Sequence, residues 1–197
     1  AALAEPLSCA IHAARLLDAR LGDTAVVFGA GTMGLLNLMV LKKSGLRVAV
    51  VDVNEGRLAK ATSLGADVVL KAGPDIRDRV KAAFLGGVDF SIAAYGSEEV
   101  NQDALDVLNN RGKICLFASA HPVTPFAVDP NLMHNRETSA VGVVSADRRD
   151  HAVATDLIAT KQIDLSPIVD ATFPLVEAAA AFERATSTPS YRVMLHP

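Results

Sequence analysis

Short apolar runs alternate with helix-length amphipathic stretches through the first two thirds of the chain. The apolar runs are Thr24–Phe28, Arg47–Val51, Val68–Leu70, Phe90–Ala93 and Lys113–Phe117. All but the third are continuous rather than alternating, as strands covered by helices on both faces require. Between them lie predicted helices Met33–Ser44, stopped by Gly45, and Glu55–Leu64, stopped by Gly65; Asp75–Phe84 and Glu98–Leu108 follow. A lead-in helix is predicted over Ser8–Ala19, introduced by Pro6 and Ser8 and ended by Gly22-Asp23. A sixth strand, Thr138–Val144, follows a loop containing Pro122, Pro125 and Pro130. Alternating βαβ units with right-handed crossovers predict an α/β fold: a doubly wound, parallel six-stranded Rossmann sheet in the order 3-2-1-4-5-6.

The rhythm breaks after Asp147, which stands where a cap for a helix over Arg148–Thr160 is needed. Beyond it an extended connection, Ile163–Ile168, leads to a helix Leu175–Ala185 and a short strand Arg192–Leu195. The pattern predicts a dinucleotide-binding domain over residues 1–147 and a helix-strand tail over 148–197 that leaves the sheet.

The first strand runs into Gly29-Ala30-Gly31-Thr32-Met33-Gly34, and the second ends in Asp52. Each element has a task in holding a dinucleotide. Gly29 permits a sharp turn, Gly31 lets backbone approach a diphosphate, and Gly34 lets the helix pack closely on the strand. The diphosphate then meets unpaired N–H groups at the positive end of the helix dipole. Asp52 can accept hydrogen bonds from both ribose hydroxyls. It would repel the 2′-phosphate of NADP by about 4 kcal/mol at 4 Å and an effective dielectric of 20. The expectation is NAD, with Val53 nearby and Arg57 stacking on adenine. A solvated strand-end acid is the plainer reading of Asp52. In open α/β sheets, ligands lie beyond the carboxyl ends of the strands, which brings in Ala94 and Tyr95, Phe117 and Ala118, and Val143 and Val144. Ordinary strand-end packing is the alternative for each. Tyr95 either stacks on adenine or partly blocks its slot.

Composition narrows the field. The 197 residues suit one domain or slightly more, and half of them are hydrophobic, enough for a substantial core. A net charge of −3 provides no basic stripe for nucleic acid. No apolar run is long enough to span a membrane, and the first residues lack the form of a signal peptide. Cys9 and Cys115, far apart and without a CxxC partner, read as two free thiols in a reducing cytoplasm. The five histidines show no metal-binding spacing, and Ser91, Ser97 and Ser119 lack a nucleophile-elbow pattern. His12 reads as structural or solvent-facing.

Several stretches together resemble the coenzyme-binding half of the medium-chain, zinc-dependent alcohol/polyol dehydrogenases, nearest the sorbitol/iditol and threonine dehydrogenase branch. They are Ala2–Ser8 leading into Ile11-His12-Ala13, the glycine turn, Val51–Ala61 with Leu64–Asp67, Asp129–Glu137 and Phe173–Phe182. The resemblance covers essentially the whole chain. It implies NAD and zinc as cofactors, a small alcohol or polyol as substrate, and hydride transfer between a secondary alcohol and the nicotinamide, with zinc polarising the oxygen. It implies that backbone near Phe117 and Val143 meets the nicotinamide and that Glu5 lies near the metal. It also implies a homo-oligomer paired through strand six. The family's other domain supplies most zinc ligands, so the chain is expected to be a fragment, inactive alone, with no catalytic residue of its own. An exposed acid ahead of a helix is the plainer reading of Glu5. Two alternatives stand beside this: a zinc-free NAD(P)-dependent reductase of the same superfamily, and a non-catalytic nucleotide-sensing Rossmann module.

Overall fold

The computed structural model describes residues 2–123, 125–187 and 190–197. Through the first unit, α1 (Ala4–Leu17) precedes β1 (Thr24–Phe28), α2 (Thr32–Lys43), β2 (Arg47–Asp52), α3 (Glu55–Ser63) and β3 (Val68–Lys71). Then come α4 (Ile76–Ala83), β4 (Val88–Ala93), α5 (Glu98–Asp106), β5 (Leu108–Leu116), α6 (Pro130–Arg136) and β6 (Ser139–Gly142). The tail carries α7 (Arg148–Ala159), β7 (Val169–Pro174), α8 (Ala178–Ser187) and β8 (Arg192–His196).

Six strands form one parallel sheet in the order β3-β2-β1-β4-β5-β6, the expected Rossmann arrangement. The continuous apolar runs divide by parity. Val27, Val48 and Val50 point into one core with Leu7, Leu36 and Leu41, while Val26, Phe28, Ala49 and Val51 enter a second core with Ile76, Val80 and Leu105. Side chains of a strand alternate between faces, so two covered faces leave no polar position. The parallel register sets Val51, Phe28, Ala93, Leu116 and Gly142 side by side, so the carboxyl ends form a shared edge.

Four differences from the sequence reading have physical causes. Helix α1 begins at Ala4, not Ser8, because a proline within the first turn removes only an N–H that would be unpaired anyway. Ser8 bonds back to the Glu5 carbonyl at 2.6 Å instead of capping. Strand β5 begins at Leu108, five residues early; an irregular register and Arg111 at φ 65° disguise its start as a turn. The loop before β6 holds a helix, α6, with Pro130 in its first turn and Asp129 capping the amides of Asn131 and Leu132. Strand β7 follows the expected extended connection and pairs with β8, and the helix expected from Leu175 opens as a 3₁₀ turn before α8.

Helix α7 docks on α1 through ions. The Asp150 carboxylate accepts from Arg15 Nε and Nη2, each at 2.9 Å, and meets His12 Nδ1 at 2.6 Å. Arg15 also reaches Asp147 at 2.6 Å, and Asp147 and Asp150 close a capping box at the start of α7. The Arg15 hydrogen bonds, aided by His12 and opposed by burial, hold the Asp150 carboxyl well below the usual carboxylate range. His12 is thus structural. No helix among the described residues is long and apolar enough to cross a membrane.

Candidate functional site

The turn after β1 is built from backbone requirements. Gly29 sits at φ +103°, a conformation that side chains disfavour, and its N–H bonds to the Val51 carbonyl at 2.8 Å. At Gly34 an added Cβ would lie 1.7 Å from the Gly29 carbonyl oxygen, so this glycine sets how closely α2 meets β1. Gly31 differs from both. It has an ordinary φ of −72° and caps α2, yet a Cβ there would meet nothing within 4 Å. Protein packing does not demand a glycine at that position; an object approaching the turn would. Among the described residues no side chain caps α2, so its first amides stay open.

Asp52 is buried beside this turn, 7% exposed. One carboxylate oxygen accepts from the Ala30 N–H at 2.7 Å and the other from the Asn54 N–H at 2.8 Å. The acid therefore braces the glycine turn against β2, which the plainer reading of a solvated strand end does not describe. Each oxygen retains a lone pair for a ribose hydroxyl. Arg57 Nη1 lies 4.0 Å from the same carboxylate, held by a helix whose start is capped by Asn54 accepting from Arg57 N–H at 3.1 Å.

Two cavities flank the turn. The larger, about 550 Å³, is lined by Met33, Phe117, Ala118, Val143 and Val144 among others, with Cys9 of α1 on its wall. Five of the expected positions are thus brought together from α2 and from the segments that follow β5 and β6. The smaller, about 340 Å³, holds Arg57. Ala94 packs against the core, its N–H on the Phe28 carbonyl at 2.9 Å. Val53 and Tyr95 are exposed (73% and 64%) and line neither cavity.

Sequence reasoning missed Arg192 and Tyr191, which reach the turn from the tail. Arg192 Nε is buried with no partner among the described residues, and its Nη2 lies 4.0 Å from Met33 Sδ, in the first turn of α2. A cation with an unpaired buried donor beside a helix N-terminus fits an anion. Thr32 Oγ1 donates to the Tyr191 carbonyl at 2.8 Å and ties the tail to the same turn. Only the spatial return of β8 reveals these residues.

The resemblance implies a metal near Glu5, with most of its ligands outside this chain. Glu5 is exposed in the first turn of α1, where the Cys9 thiol donates to it at 3.5 Å. Burial, with the Glu5 charge adding to it, pushes the Cys9 thiol up to about 11, so it is neutral at physiological pH. Among the described residues, the group of metal-type ligands close enough to share an ion is His12, Asp147 and Asp150, and Arg15 already occupies those carboxylates. Zinc takes four ligands or three with a water, and among the described residues Glu5 belongs to no such set. The described residues do not make a zinc site.

With this geometry in place, relatives become informative. Residues 32–160 match the family model described as zinc-binding dehydrogenase. The chain belongs to that family. It is 30% identical to sorbitol dehydrogenase of Rattus norvegicus over 98% of this chain and 55% of the rat protein. It is 29% identical to L-idonate 5-dehydrogenase of Vitis vinifera over 92% of this chain and 51% of that protein. The solved 2R,3R-butanediol dehydrogenase of Bacillus subtilis superposes with a TM-score of 0.85 at 23% identity, covering 100% of this chain and 57% of that one, and shares its fold. The chain spans about half the length of the curated relatives it matches.

Proposed function

We propose that this chain is the coenzyme-binding part of an NAD-dependent alcohol or polyol dehydrogenase. The observation that carries the reading is the open space over Gly31 at the uncapped start of α2, with a buried carboxylate fixed beside it. In this reading Gly29, Ala30, Gly31, Thr32, Met33 and Gly34 hold the diphosphate, joined by Arg192. Asp52 takes the ribose hydroxyls, while Val53 and Arg57 attend the adenine. Ala94 and Tyr95 flank the cofactor, and Phe117, Ala118, Val143 and Val144 shelter the nicotinamide. A nicotinamide held there would supply the acceptor for a hydride from the alcohol carbon. The larger cavity presents a mainly apolar wall to that end.

Relatives named sorbitol dehydrogenase and L-idonate 5-dehydrogenase support a polyhydroxylated small-molecule substrate. Residues 1–147 are the nucleotide-binding unit in this proposal, and 148–197 carry the surface that meets the remainder of the enzyme. Exposed Leu175, Val176 and Phe182 and a strand pair outside the main sheet support that assignment. Strand β6 at the sheet edge supports pairing between copies. Cys9 and Cys115 as free thiols support a reducing, cytoplasmic compartment.

Asp52 is the reason for NAD over NADP. A 2′-phosphate would face a carboxylate that is already buried, with Arg57 as partial compensation. Calorimetric titration tests this: NAD is expected to bind at least about tenfold more tightly than NADP, a difference of ~1.4 kcal/mol. Equal affinities would remove Asp52 from its role.

A further inference from the structure

The smaller cavity joins two distant parts of the chain. Asn54, Gly56, Arg57 and Lys60 line it from the start of α3, and Ser190 and Tyr191 line it from the tail. Two anchors fix the tail there. Thr32 holds the Tyr191 carbonyl at 2.8 Å, and the Asp170 carboxylate accepts the Tyr191 N–H at 2.5 Å and the Ser190 hydroxyl at 2.9 Å. Asp170 lies on β7, the strand that pairs with β8, so the tail's own small sheet sets the position of Tyr191. Burial pushes the Tyr191 phenol up; Arg57 opposes this, and the Asp52 and Asp170 carboxylates add to it. The side chain thus lies in the field of the residues proposed for adenosine and stays neutral at physiological pH.

We propose that Tyr191 is an adenosine-binding residue, its ring facing Arg57 across the smaller cavity to form two flat walls for the adenine, with Asp170 as its positioning residue. An aromatic ring and a planar guanidinium both present flat faces to a base. Inside the smaller cavity the sheet side offers the base only Arg57 and its neighbours on α3, since Val53 and Tyr95 line neither cavity. The tail supplies the facing wall, which makes it part of nucleotide recognition. The proposal rests on the nucleotide reading above and adds the residue that grips the base.

The test compares binding of AMP, NAD and inorganic pyrophosphate to the wild-type chain and to Y191A, Y191F, D170A and the double variant Y191A/D170A. Y191A is expected to weaken AMP and NAD about tenfold, as loss of one stacking face does, and to leave pyrophosphate unchanged. Y191F keeps the ring and is expected to keep wild-type affinity with an unchanged melting temperature, which guards against misfolding as the cause. D170A is expected to weaken AMP in the same direction, with the double variant no weaker than Y191A alone. Unchanged AMP affinity in Y191A would overturn the proposal, as would equal losses for AMP and pyrophosphate, which would place the effect in the glycine turn. A wild-type chain that bound neither AMP nor NAD would overturn the nucleotide reading itself, a result distinct from either.

Discussion

Replacing Gly31 by alanine separates ligand chemistry from protein packing more sharply than any other substitution in this chain. The new methyl group meets no protein atom within 4 Å, and φ at −72° suits any residue. Alanine is a poorer helix cap than glycine, at roughly 0.5–1 kcal/mol, while the reduced freedom of the unfolded chain offsets about as much. Stability should stay within ~1 kcal/mol of wild type. A diphosphate, however, would find the methyl group where the amide approach was open. Loss of one hydrogen bond to a charged group costs about 1.5–3 kcal/mol, so NAD affinity should fall roughly 10- to 150-fold. Gly34→Ala provides the opposite case. Its Cβ would lie 1.7 Å from the Gly29 carbonyl oxygen, so α2 must move off β1. A cost of at least ~3 kcal/mol follows from overpacking, which lowers the melting temperature by roughly 6–12 °C in a chain of this size. Thermal melts and calorimetric titration of both variants are the assay. Wild-type NAD affinity in G31A would rule out a diphosphate over Gly31, and a loss of stability in G31A as large as in G34A would rule out the open space there.

Other substitutions test the remaining links. Asp52→Asn keeps one acceptor for the Ala30 and Asn54 amides but removes the charge; titrations should show the NAD-to-NADP preference shrinking about tenfold, with ~1–3 kcal/mol of stability lost. The Asp150 carboxyl is held below its unfolded value, so its contribution is fully present above about pH 4 and is lost as pH falls through the folded value. Chemical denaturation from pH 7 down to acid should show that slope flattened in D150N. Alkylation of Cys9 by iodoacetamide should be slow at pH 7 and rise with pH toward about 11, as measured by mass spectrometry; fast labelling at neutral pH would mean the thiol is not held neutral. Leu36→Ala, in the core beneath the site, should cost about 2–5 kcal/mol in denaturant melts while leaving NAD affinity in the folded protein within twofold.

The sheet was legible because its signal is redundant. Val26-Val27-Phe28 and Val48-Ala49-Val50-Val51 feed two cores at once, as strands covered on both sides do, and their short length between turn signals separates them from buried helices. The glycine turn and Asp52 were legible for the same reason: each residue answers a separate backbone demand at fixed spacing. Boundaries failed where two local signals compete. Pro6 and Ser8 look like a helix start, yet a proline fits equally well inside the first turn. Asn109 to Gly112 look like a turn but lie within a strand of irregular register. Asp129-Pro130 was a usable cap signal for α6 hidden among neighbouring prolines. Arg192, Tyr191 and Asp170 were illegible for a different reason. Their place beside the turn depends on β8 returning across the fold to pair with β7, and no spacing in the chain encodes that return.

A crystal structure of the chain grown with NAD would show where the dinucleotide sits. The diphosphate oxygens are expected within about 3 Å of the amides of Gly31, Thr32 and Met33, with the adenosine ribose hydroxyls on the Asp52 carboxylate. Nucleotide density away from that turn, or a ribose facing another residue with Asp52 still engaged only by the Ala30 and Asn54 amides, would contradict that placement.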